Sequence, residues 1–172
     1  MKHLFTFIFI LYMYSLTSAQ TDLKNNIDVR VGYGGIDGLS GMTFLSASYG
    51  RAIKNGFILK GNFTKGSGAE KHSSGIIYNH GSINIYGLGL QKAVNTSGAS
   101  SINLGLGYRL AHLTSTSGDQ DNLSGRGGYY HGVDVDLSYL HNLNDRLGIY
   151  GGANFTTGIF MFSVNLGSRI YF

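Results

Sequence analysis

The chain has 172 residues, with 13 Lys and Arg against 9 Asp and Glu and a formal net charge of +4. That length suits one domain. The lack of cysteine excludes a disulfide framework and thiolate metal sites, and the small, scattered positive excess lacks the Lys/Arg cluster that nucleic-acid binding needs.

Charged residues make up only 13%, about half the usual globular share of ~25%. The 27 glycines argue against a helical protein, since each interior glycine costs a helix close to ~1 kcal/mol. The absence of proline suits long unbroken strands. From the N-terminus, Met1 to Ala19 has a basic start (Lys2, His3), an apolar stretch from Leu4 to Leu16, and small residues Thr17, Ser18 and Ala19 before Gln20. This is the layout of a secretory signal peptide, and the apolar stretch is shorter than the ~20 residues of a spanning helix. The expected division is therefore a signal peptide over 1–19 and one β-domain over 20–172.

Period-2 alternation recurs along that domain and predicts eight strands. The first carries Ile27, Val29, Val31 and Tyr33 on one face. The second runs from about Met42 to Tyr49, with Leu45, Ala47 and Tyr49 on its apolar parity. The third sets Phe57, Leu59 and Phe63 against Ile58, Lys60, Asn62 and Thr64. The fourth, Ser82 to Lys92, begins with Ile83 and Ile85 and then switches to Tyr86, Leu88 and Leu90. A bulge near Ile85–Tyr86 is expected there, because one extra residue flips the faces. The fifth alternates cleanly through Ile102, Leu104, Leu106, Tyr108 and Leu110. The sixth sets Val133, Val135, Leu137 and Tyr139 against Asp134, Asp136 and Ser138. The seventh sets Leu147, Ile149, Ala153 and Phe155 against Gly148, Tyr150 and Asn154, and the eighth is Phe162–Phe172, FSVNLGSRIYF.

The connections alternate in length. Two polar segments, 65–81 and 113–128, read as long loops at one end, joined there by shorter connections at 36–41 and 157–159. Turns at 50–56, 94–99 and 141–146 lie at the other end, which is the outer-membrane asymmetry of long external and short periplasmic connections. The polar face is mostly Gly, Ser, Asn and Thr rather than the Lys and Glu of a water-facing surface. Its few charges, Asp28, Arg30, Lys60, Arg109, Asp134, Asp136 and Arg169, are expected to form an internal salt-bridge network in a narrow lumen. Aromatics fall in two bands, with Tyr33, Phe63, Phe155, Phe160 and Phe162 toward the long-loop end and Tyr49, Phe57, Tyr139 and Phe172 toward the other.

The terminal FSVNLGSRIYF, ending on an aromatic residue, resembles the C-terminal signal strand of bacterial outer-membrane barrels. With the eight-strand pattern it makes the chain similar to the small OmpA/OmpX-like superfamily, in its barrel-only form. The resemblance implies an all-β, eight-stranded antiparallel up-and-down transmembrane β-barrel in the outer membrane of a diderm bacterium. It further implies a monomer in contact with membrane lipid, and a terminal strand read by the outer-membrane assembly machinery. The expected role is structural or surface-interactive, through the two polar loops, with a partner the sequence does not name. The expectation is no enzyme, no cofactor and no nucleic-acid partner.

Three motifs are candidates for chemistry. His112 and His131 end adjacent strands at one rim on one parity, and imidazole pairs bind transition metals; two exposed rim histidines explain the pattern as well. His80-Gly81-Ser82 has the His-x-Ser spacing of outer-membrane lipid A deacylases, with Ser82 as nucleophile, His80 as base and Glu70 the nearest acid in sequence. Asp119 to Asn122 resembles the start of a calcium loop but lacks the later glycine and glutamate. No catalytic, cofactor or metal residue is assigned. A lipid A deacylase-like enzyme and a soluble ligand-binding barrel with its apolar face inward are the alternatives.

Overall fold

The computed structural model describes residues 25–36, 39–71, 77–97, 99–119 and 122–172. The signal peptide expected over 1–19, His72 and the centre of the 119–122 segment lie outside them. Eight antiparallel strands follow one another around a closed barrel: β1 (Asn25–Ile36), β2 (Leu39–Ala52), β3 (Phe57–Lys71), β4 (Ile77–Ser97), β5 (Ser100–Asp119), β6 (Asn122–Asn142), β7 (Leu147–Thr156) and β8 (Met161–Tyr171). The cylinder closes where β1 pairs with β8 from Asn26–Tyr171 to Ile36–Met161.

The barrel is inside out relative to a soluble one. Leu166, Leu106 and Leu88 are 71%, 64% and 61% exposed on the outer wall, while Asp28 is 0% and Arg169 3% exposed within. An apolar wall around charged contents fits hydrocarbon, not water, so the soluble alternative with its apolar face inward is overturned. On β8 the outward residues run from Phe162 to Phe172. Ten residue steps at ~3.3 Å, tilted by ~40–45°, cover about 25 Å, the height of the apolar band of such barrels.

Two sequence expectations are corrected. The first is the β4 bulge. Register runs unbroken from Asn79 to Lys92 against β3 and from Asn79 to Ala93 against β5, with the only shift on that side between Ala93 and Asn95. Ile83 and Ile85 point inward at 0% and 1% exposure, on the same parity as Gly87, Gly89 and the buried Gln91. The apparent switch marks a change in the contents of the lumen. At this end it is filled by an apolar plug of Ile36, Met42, Phe44, Ile83, Ile85, Ala111, Ile159 and Met161.

The second correction concerns the expected loops. Most of 65–81 and 113–128 is paired strand, with the β3–β4 ladder reaching Lys71–Ile77 and the β5–β6 ladder reaching Asp119–Asn122. At 20 or 21 residues, β4, β5 and β6 are about twice as long as β7 and β8. At ~3.3 Å per residue and ~45° tilt they rise about 50 Å along the axis, roughly twice the membrane band. Beyond the membrane water replaces lipid against these strands, so hydrophobic alternation fades from the sequence although pairing continues.

The protruding sheet has two edges. β3 pairs with β2 only as far as Ser67, and β6 pairs with β7 only from Asp134. The β7–β8 turn covers the base of the β6 edge: Thr157 N donates to the Val133 carbonyl at 2.8 Å, and Val133 N donates to Thr157 Oγ1 at 2.9 Å. Gly158 allows this approach, with φ of +84° and the His131 carbonyl against it, where any Cβ would collide.

The plug generates a stability test. Phe44 lies inside at 1% exposure over the bare backbone of Gly66, and the adjacent Leu45 faces out at 58%. Phe44→Ala should cost about 3–5 kcal/mol in urea unfolding from lipid vesicles, and Leu45→Ala distinctly less. Equal losses would show that the plug is not packed as described.

Candidate functional site: the ionic lumen and the outer rim

Below the plug, side chains that alternation sends inward from β1, β3, β4, β6 and β8 meet on the barrel axis. Asp28 is the hub. Arg169 grips it with two bonds, Nε to Oδ1 at 2.7 Å and Nη2 to Oδ2 at 3.0 Å. Lys60 Nζ pairs with Asp28 Oδ2, and Arg30 Nη2 lies 3.5 Å from the same oxygen. Arg30 also reaches across to Asp136, donating from Nη1 to Oδ2 at 2.8 Å. A second pair, Arg109 Nη2 to Asp134 Oδ2 at 2.7 Å, lies closer to the plug. All seven charged residues expected in the lumen are buried and ion-paired there.

Neutral members extend the network around Asp28 and Asp136, and sequence reasoning missed most of them. Gln91 accepts from Arg169 at 2.9 Å and donates to Asp136 at 3.2 Å, so one amide bridges the two carboxylates' networks. Asn154 donates to Asp136 at 2.9 Å and accepts from Asn165 at 2.8 Å. The Tyr150 ring lies 4.8 Å beneath the Arg30 guanidinium, a cation–π contact inside the barrel. Inward parity on a strand of known facing was the signal available for Gln91.

Four inward glycines, Gly87, Gly89, Gly105 and Gly107, leave a cavity of about 40 Å³ beside Arg30, Lys60 and Arg109. A second, of about 10 Å³, lies beneath Phe44 and Met161. The larger has room for about two or three waters, not for a ligand or an open channel. With the plug across one end, the lumen is a structural core.

The outer rim holds the other candidates. His112 and Tyr129 are paired across β5 and β6 with ring centroids 4.6 Å apart, and His131 lies 6.1 Å from the Tyr108 ring. Each histidine thus has a tyrosine of the outer wall as its ring neighbour, and no group of three or more metal-ligating residues occurs among the described residues. His80 and Ser82 share the outward face of β4, beside Ala69 and Ser67 on one side and Thr116 and Thr114 on the other. None of these neighbours is acidic, and the Glu70 backbone pairs one step away, with Asn79. The aromatic bands hold, and Tyr86 and Tyr108, each 56% exposed, add to the upper one.

No protein-family model and no curated protein matches the sequence. Among solved structures, the chain is similar to Neisserial surface protein A, with a TM-score of 0.59 at 13% identity over 87% of this chain and 97% of that one. It is similar to Ail, the attachment invasion locus protein of Yersinia pestis, with a TM-score of 0.57 at 13% identity over 87% and 97%. A major outer membrane protein of Thermus thermophilus superposes with a TM-score of 0.63 at 9% identity over 88% and 100%. At these identities the likeness is one of fold, that of the small eight-stranded outer-membrane barrels.

The lumen carries its own test. Asp28→Asn leaves Lys60, Arg30 and Arg169 converging on a neutral amide, which should cost about 3–5 kcal/mol of unfolding free energy. Replacing Arg109 and Asp134 together by Leu and Val should cost less than Asp134→Ala alone, because the pair is then removed without a stranded cation. The comparison is a denaturant titration of the four proteins in one lipid composition. A double variant weaker than Asp134→Ala would contradict it.

Proposed function

We propose that this protein is an integral outer-membrane barrel of a diderm bacterium that presents its β3–β6 sheet outside the cell as an interaction surface. The carrying observation is the asymmetry of the barrel: a wall one membrane thick on β7, β8 and β1, and strands about twice that length on β4, β5 and β6. A filled, ion-paired lumen leaves no open aqueous channel, so the projecting sheet is the part that carries this reading. Beyond Val133 the β6 strand pairs only with β5 and offers unpaired backbone groups, which suit recognition of an extended segment. Among the solved structures of like fold, one is named a surface protein and another an attachment invasion protein, which agrees with this role.

The reading includes export through a signal peptide over 1–19, insertion by the assembly machinery through the β8 strand, and function as a monomer without catalysis. The lack of cysteine makes orientation directly testable. Thr114→Cys, on the projecting sheet, should react with a membrane-impermeant maleimide on intact cells. Asp145→Cys, in the turn at the opposite end, should react only after the outer membrane is permeabilised. Unboiled samples in SDS should migrate differently from boiled ones. Labelling of both sites, or of neither, in intact cells would overturn the orientation, and migration indifferent to boiling would overturn the membrane barrel.

A further inference from the structure

The outward positions of β3, β4 and β5 change chemistry in the same order as they leave the upper aromatic band. On β3 they read Phe63, Lys65, Ser67. On β4, running the other way, they read Tyr86, Asn84, Ser82. On β5 they read Leu110, His112, Thr114. The register aligns these triplets side by side: Lys65 pairs with Asn84, Asn84 with His112, and His112 with Tyr129 on β6. One step further out, Ser67 pairs with Ser82 and Ser82 with Thr114. An apolar row is thus followed by a row of ammonium, amide and imidazole, and that by a row of hydroxyls.

We propose that this three-row patch binds the phosphorylated saccharide headgroup of an outer-leaflet glycolipid, an inference that rests on the outer-membrane reading above. The order of the rows is the order of the lipid: acyl chain, phosphate, then sugar. Strands are spaced by ~4.8 Å and tilted by ~40–45°, so the row from Lys65 to His112 climbs about 6–7 Å, comparable with the ~5–8 Å headgroup layer of one leaflet.

Charge favours an anion. Lys65, His80 and His131 are exposed on this face, and no carboxylate accompanies them among the residues whose side chains are described. Lys65 lies close to the Phe63–Tyr86 ring pair, whose centroids are 5.2 Å apart, at the level where a long aliphatic stem reaches from hydrocarbon to headgroup. The Tyr129 ring, 4.6 Å away between centroids, restricts the His112 ring, whose N–H is a donor for a phosphate oxygen. Among the described residues, the rest of the rim lacks this arrangement. There Tyr33, Phe160 and Phe162 are exposed at 64%, 67% and 52%, with no cation between them. A headgroup docked here would lie at the foot of the projecting sheet and would brace it where it leaves the membrane.

The test is native mass spectrometry of the full barrel released from nanodiscs containing diphosphoryl lipid A or its dephosphorylated form. Wild type should retain the diphosphoryl lipid in preference to the dephosphorylated one. The double variant K65A/H112A should weaken retention by about tenfold or more, the scale of one hydrogen bond to a charged group. Lys92→Ala, which removes an outward lysine stacked on Phe57 near the other rim, should leave retention unchanged. Lys65→Gln and His112→Gln singly should each weaken retention by less than the double variant, with less disturbance of packing. Equal retention of both lipids, wild-type retention by the rim variants, or equal loss with Lys92→Ala would each overturn the proposal. Migration in SDS separates the two readings. A wild-type barrel shifted by boiling but indifferent to phosphate sinks the headgroup site alone, whereas no shift sinks the membrane reading itself.

Discussion

Closure of the sheet between β1 and β8 is the constraint on which the rest of the structure depends. Asn25 and Phe172 exchange backbone hydrogen bonds at 3.0 Å in both directions, and register then holds from Asn26–Tyr171 to Ile36–Met161. In hydrocarbon no water can satisfy a free N–H or C=O, and each unmade bond costs several kcal/mol. An open edge is therefore not available within the membrane. Once the sheet closes, the two-residue period of every strand becomes a choice between lipid and lumen. Val31 faces out at 56% because Arg30 faces in at 8%.

The lumen must then be filled by whatever the inward parity supplies, and it is filled in two ways. Toward the short turns the filling is ionic, and Asp28 draws Arg30, Lys60 and Arg169 to one point. Isolated, each of these charges would be very costly to bury; together, and tied through Gln91 and Asn154, they hold six strands in one arrangement. Toward the long hairpins the filling is apolar. Phe44 and Met42 lie across the chain from Gly66 and Gly68, whose missing side chains leave the room. The two zones divide the work: one fixes register by directional bonds, the other excludes water by packing.

Outside, the same alternation produces an uneven molecule. Strands β7, β8 and β1 stop at the aromatic band, and β4, β5 and β6 continue well beyond it. Within the membrane a strand needs neighbours on both sides, but beyond it water satisfies an edge, so β3 and β6 can run on with one partner each. The lipid contact and the projecting sheet thus meet along one line, and the residues there, Lys65, Asn84 and His112, belong to neither solvent alone.

The sequence by itself determined the strand number, the outward parity of seven strands, the inward parity of all seven lumenal charges and the aromatic bands, because lipid and lumen impose opposite chemistry on alternate residues. It misled at Ile83 and Ile85, where an apolar residue facing an apolar plug looks the same as one facing lipid. It misled again over 65–81 and 113–128, where water lies on both faces and alternation has nothing to report. Only the tertiary structure decided that those segments stay paired, that Gln91 links Arg169 to Asp136, and that Lys65, Asn84 and His112 stand side by side. Each of these depends on register between strands, which a single strand's periodicity does not encode.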